Sequence, residues 1–392
     1  MMPLPISSFT VTSALGAGKA AHVEALRANR SGLQKIAFDT NTLDCWLGEV
    51  AAFNSPLKDS FAAWDCRNNR LAEFALRQDG FLDAVAQCRL RYGANRIGVF
   101  IGTSTSGVQH TELAYRERDA VNNRLPDWFQ HRTTQNIFSA ADFVAQRLEL
   151  SGPKLAISTA CSSSAKVFAS ARRAIAMGSC DAAVVGGVDS LCLTTLYGFN
   201  SLQLISADVC RPADAARSGI SIGEGAGFAL LDPHAEGAMQ LLGYGETSDA
   251  YHMSSPDPDG LGAAAAMQAA LASAKVDVTA IDYVNLHGTG TMANDIAESR
   301  AICTVFGSAL PCSSTKGWTG HTLGAAGIVE AAIALLCIEN NFMPRSLNTR
   351  VKDPAIEAGV LLEERCATVR RVLSNSFGFG GSNCSLLFGR AA

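Results

Sequence analysis

The stretch "ISTACSSSAKVFASARRAIAMGS", residues 157–179, places one cysteine at the end of an apolar run, where a helix begins. Phe168, Ala171 and Ile175 recur at i, i+3 and i+7, the spacing of a helical stripe. Gly178 suits the position just past the helix end, and Arg172 and Arg173 suit the negative pole of its last turn. The start therefore falls near Cys161. Free backbone N–H groups and the dipole there favour an anion, which predicts a lowered thiol pKa and a cradle for an oxyanion. A buried cysteine is also common as inert filler, and this segment alone leaves both readings open.

Outward from this point the chain alternates short apolar runs with Ala-rich helical runs. Residues 95–107, 154–164, 180–191 and 280–291 each read as a strand followed by a loop or helix, an α/β pattern. A faint echo links the halves. Gly102–Thr105, Ser158–Thr159 and Gly186–Gly187 recur in order as Gly288–Thr291, Ser314–Thr315 and Gly380–Gly381, although the spacing differs. At 392 residues the length allows two or three domain-sized units. Charged residues make up 17%, below the ~25% of an average soluble domain, so much of the surface is buried or shared with a subunit. The net charge of −4 gives no global basic field for nucleic acid. The twelve cysteines include no CxxC pair, which argues against a zinc ribbon or redox pair. With no basic-then-apolar leader pattern, the expectation is a reducing cytoplasm. No charge-free stretch approaches ~18 apolar residues, so no membrane span is expected.

Three further segments can carry chemistry. His287 directly follows the apolar run Tyr283–Leu286, where open α/β sheets place functional groups; it reads equally as a satisfied core histidine. Asn294, Asp295 and Glu298 are expected to cap and charge the next helix. His321 lies in "SSTKGWTGHTLGAAGIVEAAIALLCIENN", five residues after Lys316. The helix expected over 322–338 holds one charge, Glu330, which needs a cation if buried and none on an exposed stripe. Last, "LSNSFGFGGSNCSLLFGR", 373–390, alternates Gly378, Gly380 and Gly381 with Phe377 and Phe379, fit for an anion-binding loop or a plain turn. A cysteine with two histidines and a lysine, all beyond strands or at helix starts, is the general pattern of covalent acyl transfer.

Together the four segments resemble the β-ketoacyl-acyl carrier protein synthases of the elongating, Cys-His-His type in the thiolase superfamily. "TACSSS", "NLHGTGT..ND", "STKGWTGHTLGAAG" and "NSFGFGGSN" carry the resemblance, in the family's order and over nearly the whole chain. It implies a five-layer αβαβα fold of two pseudo-duplicated halves, here 1–235 with the nucleophile and 236–392 with the histidines. It implies that Cys161 takes the acyl group and that His287 and His321 support decarboxylation of malonyl carrier protein. Lys316 matches the family lysine and Glu330 its buried glutamate. The N–H groups of Cys161 and Phe379 would form the oxyanion hole, with Phe379 also the gating aromatic. Thr289 and Thr291 would hold the pantetheine arm. Arg67, Arg70 and Arg211 fall in segments resembling the docking surface for an acidic acyl carrier protein. No separate cofactor or metal is implied, and the expected assembly is a homodimer or a heterodimer with a related subunit.

Two departures bear on specificity. Ala213, Ser218 and Ile220 stand where the family usually has an aromatic and Arg-Asp-Gly-Phe, and "GTSTSGV" replaces the commoner GSGxGG loop. They point toward specialised synthesis, of aryl polyene or polyketide type, as much as toward housekeeping fatty-acid synthesis. A degradative thiolase would need a second cysteine in a Cys-x-Gly loop, and an initiating synthase an asparagine in place of His321. A chain-length-factor subunit typically lacks the nucleophile, although this chain could be the active half of such a pair.

Overall fold

The computed structural model describes residues 1–236 and 239–391. Ten strands build its frame. In the first half these are β1 (Leu4–Ser13), β2 (Ile97–Gly102), β3 (Lys154–Ile157), β4 (Ala182–Asp189) and β5 (Gly225–Leu231). In the second they are β6 (Met239–Ser248), β7 (Tyr283–Asn285), β8 (Pro311–Ser313), β9 (Arg371–Gly378) and β10 (Ser382–Arg390). The first five lie in the order β1-β5-β4-β2-β3 and the second five in the order β6-β10-β9-β7-β8. Each order is the same permutation of its half, so the echo in sequence is a repeated topology. The halves join edge to edge through Leu4↔Leu241 and Pro5↔Gln240 of β1 and β6.

β2 and β4 are buried along their whole length, and their runs "IGVFIG" and "AAVVGGVD" are continuous rather than alternating. That is the signature of strands covered on both faces. Between the two half-sheets lie α1 (Ser163–Ala176) and α2 (Ala326–Asn340), packed in one core with residues of both halves. Separate cores lie under the outer helices, which include Arg67–Leu76 and Ser139–Arg147 on one side and Leu261–Ala274 and Met292–Phe306 on the other. The layers are therefore helix, sheet, helix, sheet, helix. The stretch Leu323–Asn340 is long and apolar enough to cross a membrane, with a mean hydropathy of 1.6, but 89% of it is buried here. It is apolar all round because it is the central helix of a five-layer core.

Both central helices begin at the same place. A Cβ on Gly102 or Gly187 would lie 2.4–2.5 Å from Ser164, and one on Gly327 would lie 2.4 Å from Ala165 N. Without side chains at these positions, the strand ends and the two helix starts press together. The residues just ahead of each helix, Cys161 and His321, are brought side by side. At its far end α1 closes as the sequence implied. Gly178 has φ +71, its N–H reaches Ile175 O, and Ser179 N–H reaches Ala174 O, a Schellman cap.

Candidate active site

Cys161 sits on a sharp turn between β3 and α1. Ala160 takes φ +52, a left-handed conformation that a non-glycine residue adopts only under constraint. The hydroxyls of "TACSSS" supply the constraint. Ser163 Oγ donates to Ala160 O at 2.5 Å and accepts from Thr159 N at 2.9 Å, while Ser162 Oγ donates to Thr159 O at 2.9 Å. The turn aims Cys161 at the second half of the chain, and its Sγ lies 3.1 Å from His321 Nε2. The His287 and His321 rings stand at 85° with centroids 5.4 Å apart.

Second ring nitrogens decide what these imidazoles can do. His321 Nδ1 accepts the backbone N–H of Leu323 at 3.1 Å, so its proton sits on Nε2. His287 Nδ1 faces Lys316 Nζ at 3.3 Å and likewise acts as acceptor. Burial, reinforced by the Lys316 charge, holds both imidazoles well below the ordinary histidine pKa. Two neutral rings thus point Nε2–H donors into one space beside the thiol. Lys316 is 1% exposed and distributes its ammonium among His287 Nδ1, His287 O at 2.5 Å and Glu330 Oε1. Glu330 is buried on α2, so it is paired rather than exposed; burial pushes its carboxyl up to about 7 although Lys316 pulls it down.

Sequence reasoning missed Glu298, expected only to charge a helix. It is buried and accepts from His287 N and Gly288 N, each at 2.8 Å, and from Asn375 Nδ2 at 3.1 Å. It therefore fixes the backbone of the His287 loop. Its position on the inward face of Met292–Phe306, together with the buried Asn375 of β9, was the available signal. Asp295 is also buried, where it accepts from Ala213 N at 2.8 Å and faces Arg217 at 3.3 Å.

Two expectations need correction. The thiol of Cys161 is not lowered: burial pushes it up to about 11, against the opposing pull of Lys316 and the Phe379 N–H. Cys161 lies two residues ahead of α1 and inside the core, where loss of water outweighs the helix start. Arg67, expected at an open docking surface, is instead drawn into a largely buried ion pair. Its guanidinium is 12% exposed, donates to fully buried Glu224 at 2.9 and 2.6 Å and to Glu49 at 3.0 Å, and lies over the Phe53 ring. Withdrawing it would strand a buried carboxylate. Arg70 is more open, although it clamps Asp65 through two contacts of 2.6 Å, and Arg211 pairs with Asp208.

Two cavities meet at Cys161. A cleft of about 340 Å³ is lined by Cys161, His287, His321, Thr289, Thr291 and Phe379. The Thr289 and Thr291 hydroxyls bond at 2.9 Å. A second cavity of about 420 Å³ is lined by Cys161 together with Ser104, Thr105, Thr195, Leu202 and Leu323. Phe199 and Phe379 line both, with ring centroids 5.5 Å apart, and so form the partition. The donor atoms of Cys161, His287 and His321 lie within 4.8 Å of one another, close enough to consider a metal. The ammonium of Lys316 beside His287 works against a cation there, and the arrangement suits hydrogen bonding to a developing oxyanion.

Residues 70–237 match the family model for the β-ketoacyl synthase N-terminal domain, and residues 239–350 that for the C-terminal domain. The 3-oxoacyl-[acyl-carrier-protein] synthase 2 of Rhizobium meliloti (strain 1021) is 39% identical over 315 residues, 75% of this chain and 74% of the relative. The protein of the same name from Vibrio cholerae is 33% identical over 402 residues, 94% of each chain. A ketosynthase solved in complex with its chain length factor, from Xenorhabdus doucetiae, superposes with a TM-score of 0.92 at 37% identity, covering 99% of this chain and 98% of that one. The ishigamide ketosynthase/chain length factor gives a TM-score of 0.90 at 28% identity, covering 100% and 99%. The thiolase-like fold, the matched halves and the cysteine facing two histidines agree, and the chain belongs to the β-ketoacyl synthase family of acyltransferases.

Proposed function

We propose that this chain is a β-ketoacyl-acyl carrier protein synthase that extends an acyl group by two carbons through decarboxylative Claisen condensation. The observation that carries it is the pair of neutral Nε2–H donors beside the Cys161 thiol. In the first step Cys161 Sγ bonds to the carbonyl carbon of a carrier-borne acyl thioester, and the bond to the pantetheine sulfur breaks. The proton lost by Sγ leaves on the released pantetheine thiol. The Phe379 N–H, aimed at Cys161, serves the transient oxyanion. Malonyl carrier protein then enters the cleft past Thr289 and Thr291. Its carbon–carboxylate bond breaks, CO₂ departs, and the electron pair becomes an enolate whose oxygen accepts from His287 and His321. The enolate carbon attacks the carbonyl carbon of the Cys161 thioester, the bond to Sγ breaks, and the departing thiolate takes one proton from solvent water. No separate cofactor takes part, because both substrates ride on the carrier's phosphopantetheine.

The cleft is read as the site of the pantetheine arm and the second cavity as the site of the acyl chain. Arg70 and Arg211 are kept as contacts for an acidic carrier. We place the enzyme in the cytoplasm, supported by twelve unpaired cysteines, and in specialised synthesis of aryl polyene or polyketide type. The latter rests on Ala213, Ser218 and Ile220 and on the likeness to ketosynthases paired with chain length factors. A second subunit is expected along β3, which ends the sheet with no strand beyond it among the described residues and exposes Lys154 and Leu155. The partner is a second copy or a chain-length-factor-like subunit, and copurification with size-exclusion chromatography separates them. The reaction is tested by running the half-reactions separately. His287→Ala and His321→Ala are expected to lose CO₂ release from malonyl carrier protein by about 10²–10³-fold while still loading acyl groups on Cys161. Unimpaired decarboxylation in both variants would overturn the assignment.

A further inference from the structure

Asp189, at the end of β4, is fully buried and has no place in the chemistry above. Its carboxylate accepts from Thr103 Oγ1 at 2.6 Å, Ser104 N at 3.0 Å, Ser104 Oγ at 2.9 Å, Thr105 N at 2.9 Å and Thr105 Oγ1 at 2.7 Å. The hydroxyls that satisfy it belong to "GTSTSG", the loop that departs from the family's glycine-rich form. One of them reaches further. Ser104 Oγ, while donating to Asp189, accepts the N–H of Gly324 at 3.2 Å. A Cβ on Gly324 would lie 2.6 Å from Asp189 Oδ2 and 2.7 Å from Ser104 N, so this turn is pressed directly onto the loop. The adjacent residue, Leu323, is held at φ +56, and its N–H is the one that fixes His321 Nδ1.

We propose that Asp189 and Ser104 are positioning residues for His321: the carboxylate locks the 103–105 loop, and Ser104 Oγ locks the 323–324 turn that sets the His321 tautomer. The physical basis is that the two neutral tautomers of imidazole are close in energy, so a single backbone donor at Nδ1 decides which nitrogen carries the proton. A left-handed leucine next to a glycine does not hold that N–H in place unaided, because such a turn persists only when its surroundings over-determine it. Ser104 supplies the constraint through a hydroxyl that a glycine at this position lacks. The proposal rests on the reading of His321 as a hydrogen-bond donor in decarboxylation.

The test is a set of substitutions at Ser104, which lines the acyl cavity and hydrogen-bonds to Asp189 and Gly324 rather than to Cys161 or a histidine. Ser104→Ala and Ser104→Gly are expected to lower kcat for CO₂ release about tenfold, with KM for malonyl carrier protein changed less than about twofold and acyl loading of Cys161, which the cavity wall also sets, lowered by clearly less than CO₂ release. Ser104→Thr, which keeps the hydroxyl, is expected to restore the rate. The ¹⁵N NMR signals of His321 should shift from an Nε2-protonated ring toward a tautomer mixture in Ser104→Ala and return in Ser104→Thr. Asp189→Asn should act in the same direction, and if it fails to fold, the Ser104 series still decides. Equal losses in both half-reactions, or wild-type decarboxylation and an unchanged His321 spectrum in Ser104→Ala, would overturn the proposal. If His321→Ala keeps full decarboxylation, the underlying reading of His321 fails instead.

Discussion

Replacing Lys316 by alanine removes two separable contributions, one to the reaction and one to the fold. The ammonium has three protons and three acceptors: Glu330 Oε1, His287 O and His287 Nδ1. Without it the His287 tautomer is no longer set, and losing one oriented donor to an oxyanion costs roughly 2.7–4 kcal/mol, or 10²–10³ in the decarboxylation rate. The fold suffers through Glu330, whose side chain is 3% exposed and whose Oε2 already has no partner. A stranded carboxylate would cost about 3–5 kcal/mol if it stayed charged. It can escape by taking a proton, since burial already pushes it up to about 7, against an ordinary 4.5, with the cation still beside it. The sign then follows. In the variant the folded state holds a proton that the unfolded state releases above its ordinary value, so stability falls as pH rises, by about 1.4 kcal/mol per unit. Because wild-type Glu330 is itself pushed up to about 7, the penalty relative to wild type should be small at about pH 6 and about 2 kcal/mol by about pH 8.5. Urea unfolding at the two pH values, with CO₂ release measured alongside, reads both quantities. The apolar double variant Lys316→Met with Glu330→Leu should recover stability but not decarboxylation, because it removes both charges and leaves His287 Nδ1 unpartnered. A pH-independent stability loss in Lys316→Ala, or wild-type CO₂ release from the double variant, would refute this account.

Three further outcomes are expected. Alkylation of Cys161 should speed up about tenfold per unit from about pH 7 to about pH 10, since the thiol is pushed up to about 11; a plateau below about pH 8 would reveal a resting thiolate. Peptide mapping is needed for that measurement, because exposed Cys366 will be labelled in parallel. His22 is fully buried between Ser13 Oγ at 2.8 Å and Gly18 O at 2.9 Å, and burial lowers it from 6.5 to about 4. It therefore contributes stability above 6.5 that is lost as pH falls, about 3 kcal/mol in all, and His22→Gln should flatten the acid limb of the melting-temperature profile relative to wild type; parallel profiles would refute it. Arg67→Glu should destabilise by about 3–5 kcal/mol by setting a second carboxylate against buried Glu224, whereas Arg70→Glu should fold and raise the KM for carrier protein with kcat unchanged, an effect that added salt mimics. A folded Arg67→Glu with wild-type melting would remove the structural role given to that arginine.

Glu298, Asp189 and Arg67 mark the limit of what the chain discloses before it folds. Each is a charged residue whose neighbours in sequence look like ordinary helix, strand or surface. Glu298 meets the His287 backbone 11 residues away, but Asp189 meets Ser104 across 85 residues and Arg67 meets Glu224 across 157. A buried charge is recognised by what it pairs with, and a pairing across that distance leaves no periodicity to read. The thiol of Cys161 shows the same limit in another form. A helix start is a local property and was legible, whereas the depth of burial that raises the thiol is a sum over layers contributed by the whole chain.

What the sequence determined by itself was local and periodic. The turn "TACSSS" carries its own constraint in neighbouring hydroxyls, Gly178 ends its helix through its own backbone freedom, and continuous apolar runs announce strands covered on both faces. The order of the four motifs was enough for the family, because each motif is a strand end or helix start that the same topology brings to one place. Only the tertiary structure decided which donors face the thiol, which ring nitrogen carries each proton, and which arginine is a clamp rather than a contact. The physical reason is that hydrogen bonds and desolvation act over a few ångströms in space. The separation of Cys161 from His321 is 160 residues along the chain and 3.1 Å in the fold.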